Sequence, residues 1–194
     1  MTTFSGYDAG AGSLAAAPTA TAAAAAFDAA LPTLDLVDFE GPLGDFSFTT
    51  DAFVRDTQRC AAELCGYNTT VGGDSFLDVT FSSTFSFASP INSFGAYFTG
   101  VQRGDATLTY TDGSTTVLNL PAADIGSGGT YFFGFTDPGA SISAIDYFTG
   151  TGGDFVGLDD IRFGGATPVP LPAGGLLLLS ALAAGAAVSR LKRG

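Results

Sequence analysis

The amino-acid sequence predicts an all-β fold, an antiparallel β-sandwich of the jelly-roll type, followed by a single C-terminal transmembrane helix. The first observation behind this prediction is the alternation of apolar and polar residues from residue 34 onward, which is typical of strands with one buried face. The second is the regular recurrence of Gly, Pro, Asp and Ser between these runs. The third is an uncharged apolar run close to the C-terminus.

Residues 1–33 form an Ala-rich N-terminal segment, for which the sequence predicts one short helix within residues 13–31. Pro18 lies near the start of this helix, and Pro32 ends it because proline cannot continue a helix. The segment contains neither the basic region nor the compact apolar run of a secretory signal. Since the C-terminal features described below indicate export, we expect the native reading frame to begin upstream of Met1.

Residues 34–165 form the predicted sandwich domain, whose strands are short runs rich in Phe, Thr, Val and Ile. The predicted strands cover residues 34–40, 45–51, 75–87, 93–100, 106–120, 130–136, 141–149 and 155–163. Asp112-Gly113 divides the run 106–120 into a hairpin, for which we expect a type I′ turn. The phenylalanines at strand-like intervals are predicted to fill the core between two sheets: Phe85, Phe87, Phe94, Phe98, Phe133, Phe135 and Phe163.

Charge and residue usage exclude several classes of protein. All 19 acidic residues but only four of the seven basic ones precede the C-terminal tail, which excludes binding to nucleic-acid phosphates. Histidine is absent, which removes His-dependent nucleophiles and His-ligated zinc. Cys60 and Cys65 are the two cysteines, and their spacing suits a small disulfide loop in an oxidising compartment. Two unpaired thiols are the alternative.

Residues 166–194 form a tail that differs from the rest of the chain in charge and residue type. Its apolar part, residues 169–188, is long enough for a helix to cross the hydrocarbon core of a bilayer, which takes ~20 residues. Arg190, Lys192 and Arg193 follow and mark the cytoplasmic end, because Lys and Arg beside a span resist translocation. A buried Ala/Leu core helix is the alternative, but the polar stripe that such helices usually carry is absent.

A short proline-bearing motif, one apolar helix and a basic terminus, in this order, resemble the PEP-CTERM class of bacterial sorting signals. The motif is similar to the VPLPA variant of that class and consists of Val169, Pro170, Leu171, Pro172 and Ala173. The resemblance implies that the tail holds an exported protein in the inner membrane. An exosortase-like transpeptidase would then cut near the motif and pass the protein to the cell surface or the extracellular matrix.

The sandwich region carries two further resemblances. Residues 65–81, 89–100, 131–138 and 156–165 are similar to the β-rich ectodomains that recur in PEP-CTERM proteins, and this resemblance covers most of residues 34–165. The domain also resembles jelly-roll carbohydrate-binding modules. In those modules, a carboxylate of the first strand and one of the last often hold a structural calcium ion. The resemblance therefore implies a calcium site at Glu40, Asp159 and Asp160, since calcium prefers several hard oxygen ligands. Solvated or edge-strand carboxylates are the alternative interpretation.

Together these features predict a non-enzymatic, exported surface or extracellular-matrix protein. Its predicted partners are the inner membrane, an exosortase-like enzyme and exopolysaccharide. The alternatives are a carbohydrate-binding jelly-roll module, with or without calcium, and a carboxylate-based glycoside hydrolase. A hydrolase needs two facing carboxylates ~5–10 Å apart, and none of the 19 acidic residues lies in a recognisable catalytic motif. No catalytic residue is therefore predicted.

Overall fold

The structure, a computed structural model, describes residues 1–31, 33–49, 51–60, 65–70, 72–101, 105–120, 128–149 and 155–165. Within these ranges the chain forms one α-helix, a short 3₁₀ turn at Leu14–Ala16, and twelve strands. The elements are β1 (Thr2–Ala9), α1 (Pro18–Ala30), β2 (Asp35–Val37), β3 (Phe46–Phe48), β4 (Ala52–Arg55), β5 (Phe76–Val79), β6 (Ser82–Ile91), β7 (Ser93–Thr99), β8 (Asp105–Tyr110), β9 (Thr115–Asn119), β10 (Gly129–Thr136), β11 (Ile142–Phe148) and β12 (Val156–Gly164).

The strands form two antiparallel sheets that enclose a common core, which confirms the predicted all-β sandwich. Sheet A has the strand order β1-β10-β7-β12-β5-β4, with β2 also paired to β12, and sheet B has the order β3-β6-β11-β8-β9. From β6 to β12 the chain passes repeatedly from one sheet to the other, so that hydrogen-bonded neighbours are distant in sequence. This winding is typical of a jelly roll.

The core between the sheets is built mainly from aromatic rings, and all the phenylalanines predicted for it line or contact it. Phe85 of sheet B stacks on Phe94 of sheet A with ring centroids 6.2 Å apart. Phe87 and Phe163 approach to 5.0 Å across the same gap. Large rings suit the ~10 Å separation of packed sheets. Full burial of each ring contributes roughly 1.5–3 kcal/mol by removing it from water.

The N-terminal segment, which the sequence analysis separated from the sandwich, is part of it. β1 pairs along its whole length with β10 and forms one edge of sheet A. α1 confirms the helix predicted within residues 13–31, begins at Pro18 and packs against sheet A on the side away from the core. β1 was not predicted because Gly6 interrupts its alternation. Glycine is needed there, since a Cβ atom would stand 2.2 Å from the carbonyl oxygen of Thr19 in α1.

Two strand predictions are wrong in detail. The predicted strand 75–87 is two strands, β5 and β6, which belong to different sheets and separate at a bend at Thr80 and Phe81. The predicted run 45–51 contains only β3, and β4 begins after it in the other sheet. The alternation continues through the first bend, so periodicity alone does not reveal the change of sheet.

β8 and β9 form the predicted hairpin, but the turn differs from the predicted type I′. Residues 111–114 connect the strands, and of these four only Gly113 has a positive φ, 84°. A type I′ turn needs positive φ at both central residues. The Asp112 carboxylate stabilises the connection by accepting hydrogen bonds from the backbone N–H and the hydroxyl of Ser114, at 2.9 and 2.7 Å.

The membrane-related predictions lie beyond the region that the structure covers. No helix in the described ranges is long and apolar enough to span a membrane. The predicted transmembrane helix, the sorting motif at residues 169–173 and the basic residues Arg190, Lys192 and Arg193 all fall in residues 166–194, outside the described residues.

Candidate functional site

The outer face of sheet A carries buried polar side chains. In β5, β7, β10 and β12, side chains that point into the core alternate with side chains that point to this outer face. The buried polar side chains among the outward ones are Asp78, Thr99, Thr130 and Asp159. α1 covers one half of this face. The other half is covered by residues 56–60, 65–70 and 72–75, which we call the disulfide segment.

The disulfide segment lies directly on the sheet because glycines remove the side chains between the two backbones. Cys60 and Cys65 form the predicted disulfide. Gly66, next in the chain, packs against Gly157 of β12, and Gly100 at the end of β7 lies against Cys65. Gly100 has a φ of 68°, and a Cβ atom on it would stand 2.5 Å from the Cys65 carbonyl carbon. Both the space and the backbone conformation at this position favour glycine.

Tyr67 fastens the disulfide segment to three parts of the domain. Its N–H donates to the Thr99 hydroxyl oxygen at 2.9 Å, and the same hydroxyl donates to the Tyr67 carbonyl at 2.7 Å. The phenol hydroxyl of Tyr67 hydrogen-bonds to the carbonyl oxygen of Ala11 and, at 2.9 Å, to the hydroxyl of Thr130. These partners lie on β7, on β10 and between β1 and α1. Hydrogen bonds of Tyr67 therefore hold the segment to three separate parts of the domain.

A cleft of about 580 Å³ opens between the disulfide segment and the connection from β1 to α1, and we call it the disulfide cleft. It is lined by Gly12, Asp56, Thr57, Gln58, Cys60, Tyr67, Asn68, Asp74 and Phe76. The rings of Tyr67 and Phe76 are only 5% and 1% exposed, so they form its floor rather than projecting into it. The remaining lining is mostly carboxylate, amide and hydroxyl. Its volume falls within the ~300–1,000 Å³ of small-molecule sites.

The side chain of Asn68 is oriented by the loop that follows it. Its Nδ2 donates to the carbonyl oxygen of Gly73, while its Oδ1 is buried and has no hydrogen-bond partner among the described residues. The Asp56 carboxylate accepts a hydrogen bond from the Thr57 hydroxyl at 3.1 Å and, like Asp74, is exposed. The cleft is therefore richer in acceptors than in donors.

Asp78 lies beneath the disulfide segment and forms ion pairs with two arginines. Its side chain is 2% exposed. The Arg59 Nε donates to Asp78 Oδ2 at 2.6 Å, and the Arg55 Nε lies 2.7 Å from the same oxygen as an ion pair without hydrogen-bond alignment. The Arg59 guanidinium also lies over the Phe155 ring, 4.7 Å from its centroid. This cluster joins β4 and β5 to the segment that forms the wall of the cleft.

Asp159 is fully buried on β12 and fixes another point of the disulfide segment. Its Oδ2 accepts a hydrogen bond from the Thr70 hydroxyl at 2.7 Å, and its Oδ1 accepts one from the Asp160 N–H at 2.8 Å. Burial raises the pKa of Asp159 to about 6, although the hydrogen bond from Thr70 opposes this shift. Burial also raises the pKa of Asp160, against the neighbouring Arg162 guanidinium.

The three residues of the predicted calcium site have separate protein partners. Glu40 accepts a hydrogen bond from the backbone N–H of Ser75. Asp159 is engaged by Thr70, and Asp160 pairs with Arg162 at 3.5 Å. The described residues contain no group of three or more acidic, His or Cys side chains placed to hold a metal ion. Calcium at Glu40, Asp159 and Asp160 stays a prediction.

The sequence analysis assigned no binding role to the residues that line the disulfide cleft, and Cys60 was predicted only as half of the disulfide. Asp56 and Gln58 belong to a polar stretch, and Asn68 and Asp74 belong to a polar, Gly-containing one; neither stretch has a strand or helix period. The cysteine pair was the available signal, because a disulfide draws the stretches on its two sides together.

Comparisons with known proteins yield no family for this chain. No protein-family model matches it, and no curated protein matches it significantly. The K2 cleaved adhesin domain of Lys-gingipain is 12% identical, with a TM-score of 0.46 over 68% of this chain and 99% of that domain. The CBM22-1 xylan-binding domain of Xyn10C from Paenibacillus barcinonensis is 13% identical, with a TM-score of 0.40 over 70% of this chain and 98% of that domain.

The enzymatically active domain of tailspike protein 4 from bacteriophage CBA120 is 12% identical, with a TM-score of 0.39. That similarity covers 62% of this chain but only 19% of the tailspike chain. Similarities at these identities and TM-scores assign no function to the chain.

Proposed function

We propose that this chain is a non-enzymatic, exported surface or extracellular-matrix protein whose β-sandwich binds polysaccharide in the disulfide cleft. The observation that carries the proposal is the concentration of carboxylate, amide and hydroxyl groups along one opening of about 580 Å³. Sugar hydroxyls both donate and accept hydrogen bonds, so such a cleft can satisfy several of them at once. The disulfide supports the export part of the proposal, since disulfides persist in oxidising compartments.

The floor of the cleft supports binding through hydrogen bonds rather than through stacking on rings. Tyr67 and Phe76 are buried beneath the lining polar groups and offer no exposed ring face. The bonds of Tyr67 to Thr99 and Thr130 hold this floor in place before any ligand arrives. A preorganised site loses less entropy on binding than one that must first order its loops.

The same geometry favours binding over hydrolysis. Asp56 and Asp74 are both solvent-exposed. The general acid of a glycosidase typically lies in a partly apolar pocket that keeps it protonated at working pH. Neither carboxylate of the cleft has such surroundings, so we assign both to hydrogen bonding.

The tail completes the proposal through its resemblance to VPLPA-type sorting signals. Residues 166–194 would retain the exported chain in the inner membrane until an exosortase-like enzyme releases it near the motif. Neutral replacements of Arg190, Lys192 and Arg193 should impair retention and processing, because the orientation signal is lost. Unchanged surface display of this variant would contradict the sorting part of the proposal.

A polysaccharide pull-down with the purified full chain tests the glycan-binding part. Asn68→Ala/Asp74→Ala removes one amide and one carboxylate from the cleft. Asn119→Ala/Asp146→Ala removes the same two groups from exposed positions of sheet B and is the matched control. We expect the first variant to lose most of its retention on the polysaccharide and the second to keep it, with both variants folded by circular dichroism.

Three outcomes of this experiment bear on other parts of the proposal. Equal retention of the two double variants would contradict a binding site in the disulfide cleft. Release of reducing sugars by the wild-type chain would contradict the non-enzymatic assignment. Loss of retention after chelation would support the calcium prediction at Glu40, Asp159 and Asp160.

A further inference from the structure

We infer that the disulfide cleft prefers glycans bearing free, protonated amino groups to neutral glycans and disfavours glycans built from uronic acids. This inference rests on the proposed glycan-binding function and names the class of sugar. Its basis is the unequal number of acceptors and donors along the cleft, together with the position of the nearby arginines.

The acceptors of the cleft outnumber its donors. Asp56 and Asp74 contribute ionised carboxylates, which can only accept hydrogen bonds. Neither forms an ion pair with another described residue. Asn68 Nδ2 already donates to the Gly73 carbonyl, which takes one of the few side-chain donors of the lining away from a ligand. A ligand that fits this lining must therefore bring donors, and an ammonium group brings three.

The cations closest in sequence to the cleft are both paired with a carboxylate outside its lining. Arg55 and Arg59 both point their guanidinium groups at Asp78 Oδ2, at 2.7 and 2.6 Å. Arg59 is further held over the ring of Phe155. Among the residues that the structure describes, those that line the cleft include no Lys or Arg. A uronic-acid carboxylate would therefore face Asp56 and Asp74 without a counter-ion, which costs rather than gains free energy.

The size of the preference follows from ordinary charge-assisted hydrogen bonds. Such bonds are about twice as strong as neutral ones, and each exposed ion pair adds a small stabilisation. Two carboxylates acting on the ammonium groups of one short oligosaccharide thus give roughly a tenfold preference over the neutral sugar. The preference should weaken as salt is added, because both carboxylates are exposed to solvent.

Isothermal titration of the full chain with three trisaccharides of similar size tests the inference. The probes are a glucosamine trimer, its N-acetylated counterpart and a uronic-acid trimer, at a pH where the amines are protonated and the aspartates ionised. We expect the glucosamine trimer to bind about tenfold more tightly than the acetylated trimer, and the uronic-acid trimer more weakly than either. Asp56→Asn/Asp74→Asn should remove the difference between the amino and the acetylated sugar.

The control must separate the cleft from the overall acidity of the chain, whose formal net charge is −12. Asp35→Asn/Asp45→Asn makes the same change of charge at a separate recess, next to β2 and β3. If this variant loses the preference equally, the selectivity comes from net charge and the inference is wrong. Equal binding of the amino and acetylated trimers, or tighter binding of the uronic-acid trimer, would overturn the inference but leave the glycan-binding proposal standing. Failure of all three sugars to bind would overturn both.

Discussion

Gly66 lies so close to Gly157 that a Cβ atom on Gly66 would stand 2.2 Å from the Gly157 backbone nitrogen. The approach is reciprocal, since a Cβ atom on Gly157 would stand 3.0 Å from the Gly66 Cα and 2.9 Å from the Tyr67 nitrogen. The disulfide segment therefore rests on bare backbone of β12. This contact fixes the distance of Tyr67 from sheet A, and therefore the position of the floor of the disulfide cleft.

Replacing Gly66 with alanine should lower the free energy of unfolding by about 2 kcal/mol or more, because neither backbone can move away without losing the Tyr67 hydrogen bonds. Gly41→Ala is the control, since a Cβ atom there meets open space. Urea unfolding of the two variants measures the difference. A Gly66→Ala variant as stable as Gly41→Ala would mean that the segment is not held as tightly as this contact indicates.

The sequence allows the core of this fold to be predicted but not its strand pairing. The period of two identifies Phe85, Phe94 and Phe133 as inward-facing, because burial of one face is a local property of a strand. The pairing of β7 with β10 and β12 depends on contacts between residues far apart in the chain. Local periodicity carries no information about which distant strand becomes the neighbour.

The candidate site could be predicted only through its disulfide. Cys60 and Cys65 were identified as a pair, and this pair lies in the wall of the cleft. Asp56, Asn68 and Asp74 have no periodicity of their own, and their proximity results from the disulfide and the glycine contact with β12. A site built from irregular backbone on a regular sheet leaves little trace in the sequence of its loops.

Removing the disulfide should weaken both stability and binding. Cys60→Ala/Cys65→Ala is expected to lower the free energy of unfolding by about 2 kcal/mol, the loop-closure value for so short a loop. It should also reduce glycan retention, because the wall of the cleft gains freedom. Denaturant unfolding and pull-down, each with and without dithiothreitol, check this. In reductant, the wild type should have the same stability and retention as the double variant. If reductant leaves the stability of the wild type unchanged, the disulfide has no stabilising role.

Asp159 should make the protein less stable as the pH rises from about 4 to about 6. Its pKa is raised to about 6 in the folded state, so folding favours the protonated form over this window and the gain is lost above it. Asp159→Asn removes this titration. The free energy of unfolding of the variant, relative to that of wild type, should therefore increase by ~1–3 kcal/mol as the pH rises through this window. Urea unfolding between about pH 4 and pH 7 measures this. Asp146 is an exposed carboxylate of sheet B, so the stability of Asp146→Asn should depend on pH as that of wild type does. The same pH dependence for Asp159→Asn would contradict a raised pKa for Asp159.

Asp78→Asn should be more damaging than the loss of a surface ion pair. The variant leaves the guanidinium groups of Arg55 and Arg59 next to a neutral, buried amide, and we expect a loss of about 2 kcal/mol in the free energy of unfolding. Asp28→Asn is the matched control, because it breaks a pair between a more exposed carboxylate and Arg162 and should cost less than ~1 kcal/mol. High salt should reduce the stability loss caused by the control substitution more than the loss caused by Asp78→Asn, since buried pairs are screened less. Equal losses in the two variants would show that the arginines find solvent when Asp78 is neutral. The wall of the disulfide cleft would then depend on Tyr67 and the glycine contact rather than on this buried charge.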